Sequence, residues 1–103
     1  MTATHSAELI DELVDANHIL YHQGVVDAFG HISARSDRDP SQFLLARNLA
    51  PGLVTASDIV ACHVETGEAV QSDPPRLYLE RYIHSEIYRL RPDVMSVVHN
   101  HSP

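Results

Sequence analysis

The stretch that decides how this chain folds runs from Leu79-Glu80-Arg81-Tyr82-Ile83-His84 through Arg91-Pro92-Asp93 to Val97-Val98-His99-Asn100-His101. Its period changes halfway. Leu79, Ile83, Ile87 and Leu90 are spaced four, four and three, which predicts a helix over about residues 77 to 90 with these four as its apolar stripe. Pro92 cannot continue that helix and ends it. Val94 to His99 then reads as a strand, and its unbroken apolar character predicts a central strand buried on both faces. The connection is short, so helix and strand pack antiparallel, which brings Glu80 at the helix start close to the far end of the strand.

Successive side chains on a strand point to opposite faces, so His99 and His101 point the same way. At a rise of about 3.3 Å per residue their Cα atoms lie roughly 6.6 Å apart. Two imidazoles on that spacing can converge on one ion, with metal–nitrogen bonds of about 2.1 Å. Glu80 and His84, four apart, share a helix face at the edge of the apolar stripe. On spacing alone an exposed ion pair explains them as well as a functional role does. The short connection groups Glu80 with His99 and His101, and two histidines plus a carboxylate suit Zn²⁺ or another first-row divalent ion with positions left open for substrate.

Upstream, residues 7 to 22 carry Leu9, Ile10, Leu13, Ala16, Ile19 and Leu20 at helical spacing, with Ser6 as the N-cap and Gly24 as the stop. Residues 25 to 30 read as a loop, followed by a strand over 31 to 35. A turn at Pro40 leads to a strand over 43 to 47, one helical turn capped by Thr55, and a strand over 59 to 65 that turns at Thr66-Gly67. Tight turns between short strands favour antiparallel pairing. Helix, strands, helix and strand in that order predict an α+β layered domain.

At 103 residues the chain holds one domain at most. Fourteen acidic residues against seven basic ones give a formal charge of -7, which argues against a nucleic-acid or anionic-membrane partner. Cys62 is the single cysteine and has no intramolecular disulfide partner, which favours a reducing, cytoplasmic setting. No signal peptide or membrane-spanning run is read in the sequence. Of the eight histidines, His5, His18, His22 and His63 are expected to have structural roles only.

The run Glu80-x-x-x-His84, Arg91-Pro92-Asp93 and Val97-Val98-His99-Asn100-His101-Ser102-Pro103 resembles the class II aldolase/adducin N-terminal domain family, which includes fuculose-phosphate aldolase and ribulose-phosphate 4-epimerase. Gly30-His31-Ile32-Ser33-Ala34-Arg35 is similar to that family's Gly-Asn-(Val/Ile)-Ser-x-Arg motif. The resemblance covers residues 7 to 103 and implies a three-layer αβα sandwich with a mixed, largely antiparallel central sheet, here only the N-terminal part of the domain. It implies a homotetramer with active sites between subunits, and a divalent metal, typically zinc with Mn²⁺ or Co²⁺ as alternatives, held by three histidines. His99 and His101 match the first two ligands; the third has no counterpart in these residues. Glu80 matches the catalytic acid/base, which acts beside a metal-stabilised enolate. His84 is expected to touch the site only from behind the ligands.

The departures bear on the substrate. Where sugar-phosphate members place an Asn, a Thr-Gly pair and a Ser-Ser pair around phosphate, this chain has His31, Ala46-Arg47-Asn48 and Tyr78-Leu79. The small donors for a phosphate are largely gone. Gly30, His31 and Arg47 are the candidate substrate contacts, with Arg47 suited to gripping a carboxylate bidentately or, equally, solvated at a strand end. The expected activity is aldolase-type carbon–carbon cleavage of a small, non-phosphorylated hydroxy or oxo acid. Decarboxylation of a hydroxy acid, possibly aromatic, is the alternative, and a non-catalytic adducin-like module or an inactive truncated fragment is the other class.

Overall fold

The computed structural model describes residues 5–24 and 30–99. Helix α1 (Ala7–His22) is followed by strands β1 (His31–Arg35), β2 (Gln42–Ala46) and β3 (Ile59–His63), then helix α2 (Arg81–Leu90) and strand β4 (Ser96–His99). The strands form one sheet in the order β3-β2-β1-β4, and every neighbouring pair is antiparallel. This is the expected α+β arrangement.

Two cores sit on opposite sides of the sheet. Against α1, Leu13 packs with Ala34 and Leu44, flanked by Leu9, Ile10, Ile32, Ile59 and Ala61. Ser6 caps this helix, its hydroxyl oxygen accepting from the Leu9 N–H at 3.2 Å, and Gly24 beyond its end has φ +72°. On the other face Phe43, Leu45, Val60, Cys62, Val64 and Tyr78 pack with Tyr88 of α2. Burial pushes the Cys62 thiol up to about 11, so it behaves as a small core apolar group.

Strand β1 joins the layers through its alternation. Ile32 and Ala34 belong to the α1 side. His31, Ser33 and Arg35, two apart, share the opposite face, and all three are buried. Arg35 resolves its own burial by donating to four carbonyl oxygens: Nε to Val94 at 3.0 Å, Nη1 to Pro40 at 2.8 Å, and Nη2 to Tyr88 at 2.8 Å and Arg91 at 3.1 Å. Its guanidinium also lies 4.9 Å from the Tyr88 ring centroid. The positive charge therefore sits where the last turn of α2 presents its unpaired carbonyls.

Three expectations change. The second helix begins at Arg81 rather than near residue 77. Residues 77 and 78 instead follow an irregular course, in which the Tyr78 hydroxyl donates to the Leu49 carbonyl and the Tyr78 carbonyl accepts from the Arg81 side chain. The stripe expected to face the core points away from it: Leu79 is 80% exposed and Leu90 63%. The residues α2 buries are His84, Ser85 and Tyr88, because the sheet face beneath offers Ser33 and Arg35, which need polar partners. Finally, β4 is an edge strand of the described sheet and only half buried, not a central one. A run of β-branched residues suits either position.

The turn after β3 depends on Gly67, at φ +75°, whose N–H donates to the His63 carbonyl at 2.8 Å. A Cβ built there would lie 2.6 Å from Tyr82 Cδ1. Gly67→Ala therefore combines a left-handed backbone with a clash, and is expected to cost roughly 1–3 kcal/mol, read as a lowered urea midpoint with an unchanged slope.

Candidate metal centre

The buried face of β1 and the inner face of α2 meet in a run of polar side chains. Tyr88 and His84 are one helical turn apart and Ser33 and His31 are neighbours on one strand face, so the two pairs lie side by side. Tyr88 Oη and Ser33 Oγ share a hydrogen bond of 2.8 Å, and Ser33 Oγ and His84 Nδ1 one of 2.5 Å. His84 Nε2 lies 2.6 Å from His31 Nδ1, and His31 Nε2 lies 2.9 Å from Glu80 Oε2. Five residues thus connect the interior to a carboxylate at the surface. His84 and Ser33 are 0% exposed, whereas the Glu80 side chain is 39% exposed.

Glu80 occupies the position before the first residue of α2 and makes no side-chain cap there, so its carboxylate is directed to His31. His99 pairs with His31 across the β1–β4 ladder, and their rings stack with centroids 4.8 Å apart and planes 11° from parallel. Tyr78 lies against the same His31 ring at 4.8 Å. Potential ligand atoms of His31, Glu80 and His99 all lie within 4.8 Å of one another. Imidazole and carboxylate are the donor types a first-row divalent ion takes, so the chemistry of the set fits such an ion.

The expected site residues divide as follows. Glu80, His31 and His99 come together, with buried Gly30 next to His31. His84 is hydrogen-bonded to His31, which in turn bonds Glu80, and this puts His84 behind the site. Arg47 is engaged elsewhere, donating from Nε to Asp58 Oδ1 at 2.6 Å. Asp58 in turn accepts from the Thr55 N–H and hydroxyl, so the arginine extends a helix cap. His101 lies outside the described residues. Ser33, Tyr88 and Tyr78 were missed, although the first two carried a signal: Ser33 is two positions from His31 on a strand, and Tyr88 four from His84 on a helix.

An antiparallel sheet between two helices, with a Glu at one helix start facing strand histidines, defines an α+β domain with a candidate metal centre. The family described as Class II Aldolase and Adducin N-terminal domain matches residues 11–103, and this chain belongs to it. It is 45% identical over 86 residues to the "Decarboxylase tropJ" of Talaromyces stipitatus, covering 82% of this chain and 32% of that protein. It is 34% identical over 100 residues to a methylthioribulose-1-phosphate dehydratase of Marinobacter nauticus, covering 96% and 47%. The solved L-fuculose 1-phosphate aldolase from Glaciozyma antarctica superposes with a TM-score of 0.80 at 29% identity, over 100% of this chain and 45% of that one. The chain spans a third to a half of the length of these relatives.

Burial, helped by the neighbouring His31 and His99 rings, pushes the His84 pKa from 6.5 down to about 3. The folded protein holds His84 neutral where the unfolded chain takes up a proton, so its contribution is complete above pH 6.5 and is lost as the pH falls from there toward 3. In metal-free protein, urea midpoints are expected to fall on acidification below about pH 6.5, by up to about 1.4 kcal/mol per pH unit from this group, with a shallower fall in His84→Gln.

Proposed function

We propose that this chain carries the Glu80 side of the active site of a divalent-metal-dependent carbon–carbon lyase acting on a hydroxy or oxo acid. The convergence of Glu80, His31 and His99 at the meeting of helix start and strand end carries this reading. His99, with His101 two residues on, would hold the ion, with zinc as the first choice. When bound, a divalent ion stabilises negative charge developing on substrate oxygens. A non-catalytic adducin-like module has no use for this donor set.

The chain's own contribution is proton transfer and orientation. The Glu80 carboxylate is partly exposed and is held at Oε2 by His31, an arrangement that suits a general acid/base. In decarboxylation the bond to the departing carboxylate breaks, the electron pair stays on the substrate carbon, CO2 leaves, and Glu80 in its acid form hands that carbon a proton. Aldol cleavage differs in its leaving fragment, a carbonyl compound formed as its hydroxyl loses a proton. The 45%-identical relative named as a decarboxylase favours the first branch.

The acid part of the substrate has a cation available. A cleft of about 460 Å³ beside Glu80 is lined by Asn48, Arg76, Leu77, Tyr78 and Leu79. Among the described residues the Arg76 guanidinium makes no hydrogen bond or ion pair, whereas Arg47 is tied to Asp58. Arg76 thus takes over the carboxylate-gripping role expected of Arg47. A carboxylate held there keeps its charge stabilised, so it is one retained through the reaction rather than the one lost as CO2. The outward apolar stripe of α2 supports assembly into a homo-oligomer.

Bound metal measured by elemental analysis, together with turnover of hydroxy and oxo acids, tests this reading. Glu80→Gln is expected to keep the ion and lose about 10²- to 10⁴-fold in turnover. His99→Ala is expected to lose the ion itself. A folded protein that neither contains nor takes up a divalent ion contradicts the proposal.

A further inference from the structure

With both histidines neutral and Glu80 ionised, the hydrogen-bonded run from Tyr88 to Glu80 can be ordered in only one direction. We infer that Tyr88, Ser33 and His84 lock His31 in the tautomer whose Nε2–H donates to Glu80, making His31 a positioning residue for that carboxylate and not a metal ligand.

The order follows from the closed end. Tyr88 is 1% exposed, and Ser33 Oγ is the acceptor within reach of its hydroxyl among the described residues. A buried O–H without an acceptor is costlier than an oxygen lone pair without a donor. The Tyr88 O–H therefore donates to Ser33 Oγ, while its oxygen accepts from the Val97 backbone N–H. Ser33, having accepted, sends its own proton to His84 Nδ1 across 2.5 Å. With Nδ1 accepting, neutral His84 carries its proton on Nε2 and donates to His31 Nδ1 across 2.6 Å. His31 must then carry its proton on Nε2, where it donates to Glu80 Oε2 across 2.9 Å. The reverse order leaves the Tyr88 proton without an acceptor and requires an additional proton, on Glu80 or on His31.

Each nitrogen of His31 is thereby committed, Nδ1 as acceptor and Nε2 as donor. Although its ring stands in the His31–Glu80–His99 cluster, it presents a proton to the site and not a lone pair. Because the far end is sealed, the run does not carry protons in from solvent. It orients the Glu80 carboxylate through Oε2. The tautomers rest on hydrogen-bond geometry alone; their consequence for catalysis rests on the lyase reading above.

Long-range proton–nitrogen correlation spectra of the full chain, labelled with ¹⁵N-histidine and free of metal, read the tautomers directly. His31 and His84 are both expected as Nε2–H forms. In Ser33→Ala that preference is expected to be lost at His84, and Ser33→Thr, which restores a hydroxyl, to recover it. His84 found as the Nδ1–H form in the unmodified protein overturns the inference, whatever the variants do. Zinc titration supplies the second arm. His31→Gln is expected to hold zinc within about threefold of the unmodified protein, while His99→Ala weakens it at least about a hundredfold, the cost of losing one ligand. Equal losses in the two variants overturn the donor role of His31. A protein that binds no zinc at all defeats the lyase reading but leaves the tautomer result standing.

Discussion

One face of β1 is polar and has nowhere to find water. His31, Ser33 and Arg35 alternate along the strand, each buried, so each must be satisfied by whatever packs above. Helix α2 answers with His84 and Tyr88 and with its terminal carbonyls, and the helix is positioned by these bonds as much as by apolar contact. Replacing one member would leave its neighbour buried without a partner, which costs about 1–3 kcal/mol, more than the bond itself contributes. The same demand puts Glu80 at the mouth of the network. The interaction that seats the helix also places the carboxylate.

Much of this was legible in the sequence. Helix α1 occupies the residues its spacing predicts, with Ser6 as its cap, because Leu9, Ile10 and Leu13 repeat at a period only a helix satisfies. The strand over residues 31–35 and the turn capped by Thr55 were equally plain. The grouping of Glu80 with His99 followed from a short connection and an antiparallel packing. What the pattern did not convey was the phase of α2. Counting apolar residues assumes that the partner surface is apolar, and here it is not. The stripe of Leu79, Ile83 and Leu90 consequently faces out while a histidine and a tyrosine face in. For Arg47 the sequence left two roles open, and neither included Asp58, a partner visible only once strands β2 and β3 are paired.

The family pattern helps to explain His31. An asparagine expected at that position offers an amide N–H; a histidine offers a ring N–H at longer reach, provided that its tautomer is fixed. His84, one turn into the helix beyond Glu80, fixes it. The histidine at residue 31 therefore makes sense beside His84, since without a partner on Nδ1 it could turn either nitrogen toward the carboxylate.

Arg35 has a consequence for how the chain reaches its fold. Its guanidinium joins carbonyls of residues 88, 91 and 94 to a strand more than fifty positions earlier. The end of α2 and the approach to β4 cannot be completed by local contacts, however favourable the helix is by itself. Their closure waits on a long-range pairing, and loop-closure entropy makes such pairings slow. Helix α2 and strand β4, though adjacent in sequence, are thus not an independent folding unit. Their full set of native bonds requires β1 to be in place to receive them.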